Sequence, residues 1–324
     1  MLWAAVLSFA LAFGAIRVLL ARFARLALDR PNERSLHERP VPRTGGIALL
    51  LGASAALGLG AAELWLPFAL AFGLAACSFL DDLRGMPTAL RLLAHFAAAG
   101  GFAWHLLSPM HPAALAALVL AAVWITNLYN FMDGADGVAG GMALIGFGAY
   151  AAAAEAAGHG ALAAACIALA AASGAFLLHN FHPARLFLGD AGSIPLGFLA
   201  AGLGLQGWRD DVWPLWFPVL VFGPFIGDAT VTLLRRVARR ARVWQAHHDH
   251  YYQRMVRMGL GHRRTAWLGY LAMLACAGCA LYGRAQPAAT QAALFAAASA
   301  LLALMAVWID LQWSRFVRSA EKRT

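Results

Sequence analysis

Long apolar runs separated by short polar segments dominate the chain. Runs with few charges recur from the N-terminus to Trp313, and a helix needs about 20 apolar residues to cross the hydrocarbon core of a bilayer. The pattern predicts eleven spanning helices, or ten if one short run does not span. Their expected bounds are 2–22, 44–60, 62–80, 89–107, 113–130, 138–156, 160–178, 187–206, 212–234, 265–283 and 288–312. We therefore expect an all-α, polytopic integral membrane protein that forms a single domain over residues 1–324.

The composition supports a lipid environment. The 324 residues are 61% hydrophobic and 13% charged, whereas soluble domains have about 45–50% apolar and about 25% charged residues. A soluble, alanine-rich helical protein is the other interpretation, but repeated runs of spanning length favour the membrane. The first run has no basic leader and no small-residue cleavage site, so we expect a spanning helix there and not a cleaved signal peptide.

Basic residues indicate the orientation of the helices. The chain has 25 Lys and Arg residues against 16 Asp and Glu. With the N-terminus outside, every basic residue except Arg17, Arg209 and Arg284 falls in a segment that faces the cytoplasm, as the positive-inside rule requires. Contact with membrane lipids and phosphates explains this charge without nucleic acid. Most polar side chains fall on the same side, as expected of an enzyme working at the cytoplasmic membrane surface.

Two adjacent aspartates, Asp81 and Asp82, lie near the end of an apolar run in FLDDLRG, residues 79–85. Their mutual repulsion favours either a bound cation or one carboxyl group with a raised pKa that takes part in proton transfer. A solvated helix terminus would also carry such a pair.

The stretch NLYNFMDGADGVAGG, residues 127–141, places four polar side chains at the end of an apolar run. A continuing helix would align them on one face, because they recur every three residues. They are Asn127, Asn130, Asp133 and Asp136. The glycines that follow allow close backbone approach and offer N–H groups to anions. This combination suits a metal–diphosphate or a sugar nucleotide, whereas an ordinary polar loop would leave costly polar groups near the membrane.

Asp190 lies between glycines in RLFLGDAGSIPLG, residues 185–197. At a predicted helix start, an aspartate either caps the helix or shares the N-terminus with a phosphate. A single G-D-x-G is a weak signal, and it gains weight by falling on the same predicted membrane face as the other motifs. We expect Arg185, which opens the stretch, to bind substrate.

Two polar loops complete the predicted cytoplasmic face. The first, RVWQAHHDHYYQR at 242–254, carries His247, His248 and His250. A phosphate-facing cluster explains these imidazoles better than zinc, whose usual ligand spacing is absent; a solvated loop is the remaining interpretation. The second loop, 29–48, offers basic side chains to phosphates, namely Arg30, Arg34, His37, Arg39 and Arg43. Asp228 faces either the site or the arginine run that follows it.

Carboxylates with histidine and arginine side chains at one face are the usual setting for Mg²⁺ and substrate phosphates. Phosphoryl transfer needs mainly positioning and neutralisation of charge, and the membrane setting suggests a lipid substrate. One rival class is an ion-coupled transporter, which would place acids near mid-membrane and carry internal repeats. Another is a lipid-binding scaffold without catalysis, which needs no ordered acidic motifs.

Five motifs occur here in the order of a known family. They are RPNERSLHERPVPRTGG, FLDDLRG, NLYNFMDGADGVAGG, FLGDAGSIPLG and VWQAHHDHYYQR. Together they resemble the polyprenyl-phosphate N-acetylhexosamine-1-phosphate transferases, glycosyltransferase family 4. The resemblance implies ten or eleven transmembrane helices in the bacterial inner membrane, a cytoplasmic active site, and Mg²⁺ as cofactor with Mn²⁺ as a substitute. It implies that undecaprenyl phosphate and a UDP-N-acetylhexosamine react to give undecaprenyl-diphospho-sugar and UMP.

The resemblance also implies roles for individual residues. Asp190 looks like a metal ligand, with Asp82 as the second expected ligand. The pair Asp81 and Asp82 resembles the family's paired aspartates, acting as base or as substrate and metal contacts. The full expected catalytic set is Asp81, Asp82, Asp133, Asp136, His247, His248 and His250. The expected substrate-binding set is Asn127, Asn130, Arg43, Arg185 and Asp228.

Details of the motifs favour the branch that initiates O-antigen and teichoic-acid synthesis, with UDP-N-acetylglucosamine or a UDP-N-acetyl-6-deoxyhexose as donor. The alternative is the branch that makes the muramoyl-pentapeptide lipid I, which usually has a different histidine loop and a Met in the segment that reads Arg43-Thr44-Gly45-Gly46 here. The resemblance leaves open which imidazole acts and whether the protein forms a homodimer.

Overall fold

The computed structural model describes residues 1–23, 27–29, 31, 39–241 and 247–321. Within them the chain is helical almost throughout, which confirms the expected all-α class. The helices are α1 (Leu2–Arg22), α2 (Gly45–Ala53), α3 (Ala55–Gly58), α4 (Trp65–Arg84), α5 (Thr88–Leu107), α6 (Pro112–Phe131), α7 (Val138–Ala156), α8 (Gly160–Asn180), α9 (Asp190–Arg209), α10 (Trp216–Val221), α11 (Gly223–Ala238), α12 (Tyr251–Met255), α13 (Gly261–Gly283) and α14 (Ala288–Glu321). A 3₁₀ turn at Ala62–Leu64 leads into α4, and a π-helical turn at Val256–Leu260 joins α12 to α13.

Seven helical segments in the described residues are long and apolar enough to cross a membrane. They are Leu2–Arg22, Ala62–Arg84, Pro112–Phe131, Val138–Ala156, Gly160–Asn180, Tyr251–Gly283 and Ala288–Ser319. The protein is therefore a multi-pass membrane protein, as predicted. The figure of ten or eleven spans stays a prediction, because α2, α3, α5, α9, α10 and α11 are not among the seven.

Two predicted spans are each split into two helices. The run 212–234 is interrupted at Phe222, between α10 and α11. Pro224 lies in the first turn of α11, where its missing N–H costs nothing, so a helix starts there more readily than it continues. The run 44–60 is divided at Ser54, between α2 and α3.

The centre of the bundle consists of α7, α8 and α9. Helix α8 packs against α1, α2 and α7, and α9 packs against α4 and α6. Alanine and glycine dominate these buried faces, and small side chains allow helices to approach closely in a membrane. The peripheral helices expose large apolar side chains such as Trp3 on α1 and Leu304 on α14, as expected of surfaces that face lipid.

A short antiparallel pair precedes the second helix and positions the site. Strand β1 (Leu28–Asp29) pairs with β2 (Val41–Pro42), which the sequence did not predict. The chain then runs alongside the segment before α9: the Phe187 N–H donates to the Pro42 carbonyl at 2.8 Å, and the Gly46 N–H donates to the Leu188 carbonyl at 3.0 Å.

The first turns of α2 and α9 touch through glycines. A Cβ atom added to Gly46 would lie 2.1 Å from the Cα of Gly192, so no larger residue fits there. This close approach brings Arg43, two residues before α2, near Asp190, the first residue of α9.

Candidate functional site

Three carboxylates from distant parts of the chain lie in one region, the acidic cluster of Asp82, Asp133 and Asp190. Asp82 is in the last turn of α4, Asp133 follows the end of α6, and Asp190 begins α9. The charge of Asp190 acts on both of the other two carboxylates. The structure therefore brings residues of three separate motifs close enough to act on one another electrostatically.

Asp190 is placed by its neighbours on both sides. Gly189 has a φ of 71°, and a Cβ atom added to it would lie 2.6 Å from the Arg43 carbonyl oxygen. The side chain of Asn130 is hydrogen-bonded to Asp190 and accepts a second bond from the Ser193 hydroxyl at 2.8 Å. Asn130 thus links the end of α6 to the start of α9.

Asp133 is held in conditions that disfavour its charge. Burial raises the pKa of this carboxyl well above its usual range, and the negative charges of Asp190 and Asp29 raise it further. A backbone hydrogen bond at Gly189 offsets part of this effect. A divalent cation beside these acids would stabilise the charged form.

Asp82 is the second carboxylate whose surroundings fit a bound cation. Its Oδ1 lies 3.4 Å from the Arg43 Nη2, and its side chain is only 9% exposed. Its Oδ2 is buried without a hydrogen-bond partner among the described residues. A buried, unsatisfied carboxylate oxygen is costly unless a ligand satisfies it. The donor set is all oxygen, which is the set that Mg²⁺ prefers, so these residues fit the expected ion.

Asp81 has a different environment from its neighbour Asp82. Its Oδ2 accepts a hydrogen bond from Arg91 Nη1 at 2.9 Å, and its Oδ1 accepts one from the Met86 N–H. Both oxygens therefore hold the turn between α4 and α5. The catalytic role expected for Asp81 stays a prediction.

The four polar residues would share one face only if the helix continued, and the helix ends before Asp133. Helix α6 ends at Phe131, and Gly137 takes a left-handed φ of 80° before α7. Asp136 consequently turns away from Asp133. Its Oδ2 accepts from His182 Nδ1 at 2.6 Å and from the Ala184 N–H at 3.1 Å.

Asn127 and Arg185, both expected to bind substrate, lie apart from the acidic cluster's hydrogen bonds. Asn127 donates to the Val123 carbonyl at 2.7 Å and bonds the side chain of His95 on α5. Arg185 has an exposed side chain that makes no ion pair with another described residue. Their expected roles stay predictions.

Asp228 turns toward the histidine loop. Its Oδ1 lies 3.1 Å from His250 Nδ1, and its two oxygens accept the backbone N–H groups of Tyr251 and Tyr252 at 3.0 and 3.1 Å. These are N–H groups that the first turn of α12 leaves without helical partners. Asp228 therefore caps α12 and fixes His250, while its expected contact with substrate stays a prediction.

The histidine loop lies against the end of α6. The His250 ring stacks on Phe131 with centroids 6.4 Å apart, and the Tyr252 hydroxyl donates to the Phe131 carbonyl at 3.0 Å. The charge of Asp133 acts on Tyr252. The loop that carries His247, His248 and His250 is thus a neighbour of the acidic cluster.

His247 is kept neutral by its surroundings. Burial, together with the neighbouring His250 and Arg236, lowers the pKa of its imidazole to about 4. Its ring stacks on His250 with centroids 5.0 Å apart, and its Nδ1 accepts from the Asp249 N–H at 3.3 Å. His248 is partly buried in the same loop.

Sequence reasoning missed two contributors to this end of the bundle. Asp29 acts electrostatically on both Asp82 and Asp133, and its position before the basic loop was the available signal. His262 in the first turn of α13 was missed because the predicted span began at residue 265, leaving GHRR as a connecting segment. Arg30, Arg34 and His37 lie outside the described residues.

The fold and the acidic cluster define a multi-pass membrane protein with carboxylates gathered at one end of its bundle. Residues 64–208 match the family model described as glycosyl transferase family 4. A decaprenyl-phosphate N-acetylglucosaminephosphotransferase of Mycolicibacterium smegmatis is 32% identical over 313 residues, covering 80% of this chain and 75% of the relative. The chain belongs to the polyprenyl-phosphate N-acetylhexosamine-1-phosphate transferases of glycosyl transferase family 4, which confirms the resemblance seen in the motifs.

Two further relatives bear on the choice of branch. A probable undecaprenyl-phosphate N-acetylglucosaminyl 1-phosphate transferase of Bacillus subtilis is 28% identical over 266 residues, covering 76% of this chain and 74% of the relative. A phospho-N-acetylmuramoyl-pentapeptide-transferase of Moorella thermoacetica is 36% identical, but over only 46% of each chain.

Proposed function

We propose that this protein transfers an N-acetylhexosamine-1-phosphate from a UDP-sugar to undecaprenyl phosphate at the cytoplasmic face of a bacterial inner membrane. The convergence of Asp82, Asp133 and Asp190 beside Arg43 is the observation that carries the proposal. Relatives named for this reaction with N-acetylglucosamine support it.

In the proposed reaction an oxygen of the lipid phosphate attacks the β-phosphorus of the UDP-sugar. A new P–O bond forms there, the bond from that phosphorus to the bridging oxygen breaks, and UMP leaves with the bridging oxygen. The lipid phosphate is largely ionised at neutral pH, since the second pKa of a phosphate is about 6. The main task of the protein is therefore to position the two phosphates and to neutralise their charge.

Mg²⁺, the proposed cofactor, would be held by Asp82, Asp133 and Asp190. When bound, it would offset the charge of the diphosphate. Asn130 orients Asp190 through its hydrogen bond. Arg43 is the nearest cation, and its Nε is buried without a partner among the described residues, which leaves a donor for a phosphate oxygen.

An apolar cavity of about 350 Å³ supports a lipid substrate. It lies between α11, α13 and α14, with Phe225, Met273 and Leu302 among its walls. Asp228 and Tyr252 form part of its lining next to the histidine loop. We propose that isoprenoid units of the lipid carrier occupy this cavity while the phosphate reaches the acidic cluster.

The choice of donor separates the two branches of the family. We propose UDP-N-acetylglucosamine or a UDP-N-acetyl-6-deoxyhexose, with initiation of a cell-surface polysaccharide such as O-antigen as the role. The relative from Moorella thermoacetica makes the muramoyl-pentapeptide donor the alternative. It matches less than half of the chain, whereas the N-acetylglucosamine relatives match about 80%.

The test is a reaction with purified protein in nanodiscs, undecaprenyl phosphate and a panel of UDP-sugars that includes the muramoyl-pentapeptide. We expect UMP and lipid-diphospho-sugar in equal amounts, from an N-acetylhexosamine donor, with loss of both on adding EDTA and recovery with excess Mg²⁺. Release from the muramoyl-pentapeptide donor alone would move the protein to the other branch. Absence of UMP with every donor would refute the proposal, and ion-dependent uptake by proteoliposomes would then favour the transporter.

A further inference from the structure

Tyr252 is a buried tyrosine that joins the histidine loop to the turn that carries Asp133. It lies in the first turn of α12, which follows His250, and its side chain is buried. Its hydroxyl donates to the Phe131 carbonyl at 3.0 Å and accepts a hydrogen bond from the Gly134 N–H. These two partners lie on either side of Asp133 in the chain, so a single hydroxyl bridges the turn around that carboxylate.

The turn after α6 has no helical hydrogen bonds of its own to fix this region. Phe131 ends α6, so its carbonyl is among those that a helix terminus leaves without a helical partner. Gly134 lies in a bend between α6 and α7, and a glycine adds little stiffness to the backbone. Bonds from outside the turn therefore decide where Asp133 points: the Gly189 N–H holds the carboxylate, and Tyr252 holds the backbone.

Gly134 and Tyr252 fit each other closely. A Cβ atom added to Gly134 would lie 2.2 Å from the Tyr252 hydroxyl oxygen and 3.2 Å from the Cζ atom that carries it. A larger residue at position 134 would therefore displace the hydroxyl, and only glycine lets the tyrosine approach the backbone this closely.

The histidine loop holds Tyr252 in place from the other side. The Tyr252 N–H donates to Asp228 Oδ2 at 3.1 Å, and the Tyr252 ring stacks on His250 with centroids 5.9 Å apart. His250 is fixed by the same carboxylate, because its Nδ1 lies 3.1 Å from Asp228 Oδ1. The hydroxyl is therefore presented to the turn by a supported side chain.

We propose that Tyr252 is a positioning residue, whose hydroxyl fixes the turn that presents Asp133 to the cation of the acidic cluster. This inference rests on the proposed function, because that proposal supplies the cation. It gives the histidine loop an indirect part in the reaction, since the loop acts on Asp133 through Tyr252. Groups that orient a metal-binding side chain typically change metal affinity by about 10-fold to 100-fold when they are removed. The rival explanation is that Tyr252 only packs in the core.

The test uses Tyr252→Phe in the full chain, purified in nanodiscs, because phenylalanine keeps the buried ring and removes only the hydroxyl. Tyr251→Phe is the matched control: this neighbouring tyrosine is also buried, but its hydroxyl faces Asp310 at 3.4 Å. The measurements are the affinity for Mn²⁺ by electron paramagnetic resonance, the midpoint of thermal unfolding, and UMP release over a range of Mg²⁺ concentrations.

We expect Tyr252→Phe to weaken Mn²⁺ binding about 10-fold and Tyr251→Phe to leave it unchanged. UMP release by Tyr252→Phe should fall at low Mg²⁺ and recover in excess Mg²⁺, because every residue proposed to hold the ion is still present. A lower unfolding midpoint with wild-type Mn²⁺ affinity in Tyr252→Phe, while Asp133→Asn binds weakly, would overturn the positioning role and leave the proposed function standing. Failure of the wild-type protein to bind Mn²⁺ would overturn both.

Gly134→Ala is the second variant, which keeps the tyrosine and excludes its hydroxyl from the turn. We expect it to weaken Mn²⁺ binding about as much as Tyr252→Phe does. The double variant should bind Mn²⁺ no more weakly than either single variant and should regain part of the stability lost in Gly134→Ala, because the added Cβ atom no longer meets the hydroxyl oxygen. Additive losses of affinity would show that the two residues act separately and would overturn the proposal.

Discussion

Asp133 and Asp136 are three residues apart in one turn, yet their environments differ in kind. Burial raises the pKa of Asp133, and the negative charges of Asp190 and Asp29 raise it as well. Asp136 instead accepts hydrogen bonds from His182 and from the Ala184 N–H. The surroundings of Asp133 therefore disfavour its negative charge, whereas the hydrogen-bond donors around Asp136 stabilise the charge of that carboxylate. The spacing of a motif therefore identifies candidate site residues. The backbone conformation of the turn decides which of them is placed to bind a cation together with the substrate.

The same contrast separates two regions of the site. The acidic cluster contains a buried Asp82 oxygen without a partner in the described part of the chain. Beside the histidine loop, by comparison, the Asp228 carboxylate of α11 accepts two backbone N–H groups and contacts His250. We infer that the first region binds a cation and that the second is a rigid support beside it. The predictions below test that division.

The largest expected effect is on the acidic cluster itself. Asp190→Asn and Asp82→Asn should each lower UMP release by about 100-fold or more, a loss typical of removing a group that stabilises transition-state charge. The measurement is the rate of UMP release at saturating donor and lipid. Glu155→Gln, at the opposite end of α7, is the matched control and should keep the wild-type rate. Rates near wild type in both aspartate variants would contradict the role of the cluster.

Arg43 should have the next largest effect. Arg43→Ala should lower UMP release by about 10-fold to 100-fold, because a charged hydrogen bond to a phosphate oxygen is lost. Arg43→Lys should recover only part of the rate, since lysine lacks the planar pair of donors. Equal rates for the lysine and alanine variants would show that charge at this position is unimportant.

Asp228 should matter for stability more than for chemistry. Asp228→Ala removes the acceptor for the first turn of α12 and should lower the free energy of unfolding by about 1–2 kcal/mol. The measurement is the midpoint of thermal unfolding in detergent. Asp228→Asn keeps an acceptor oxygen, so its unfolding midpoint should lie between those of the wild type and Asp228→Ala. A variant as stable as wild type but without activity would place Asp228 among the substrate contacts instead.

The smallest expected effect concerns His247 and pH. Its pKa in the folded protein is about 4, below the ordinary value of 6.5, so the unfolded chain binds a proton in this interval that the folded chain does not. Stability should therefore fall as pH drops from about 6.5 toward 4. His247→Gln should show a shallower fall in its unfolding midpoint over this range. An unchanged slope would mean that the imidazole is not held neutral.

Much of the fold was predictable, because apolar runs of spanning length have few alternatives in a membrane. The bounds 138–156 for α7 were predicted to the residue. The break at Phe222 has a visible cause in Pro224, but the mean hydropathy of the run 212–234 does not reveal it. Strands β1 and β2 were not predictable, since each has only two residues and depends on the neighbouring segment before α9.

The site was predictable as a set of motifs and less so as a geometry. Glycines on both sides of Asp190 indicated a helix start. The turn from Met132 to Gly137 was harder, because its glycines allow the helix to end without fixing where each aspartate points. The grouping of Asp136 with His182 and His262 depends on contacts over 46 and 126 residues of sequence separation. A single sequence carries no local signal for such contacts.

The most direct test of the central claim is binding of Mn²⁺, used in place of Mg²⁺ and followed by electron paramagnetic resonance. The protein should bind one tight Mn²⁺ ion, and Asp82→Asn, Asp133→Asn and Asp190→Asn should each weaken it at least about 10-fold, as losing a direct ligand would. Asp136→Asn should leave the Mn²⁺ affinity unchanged. Loss of affinity in Asp136→Asn, with the other three variants binding normally, would contradict the account.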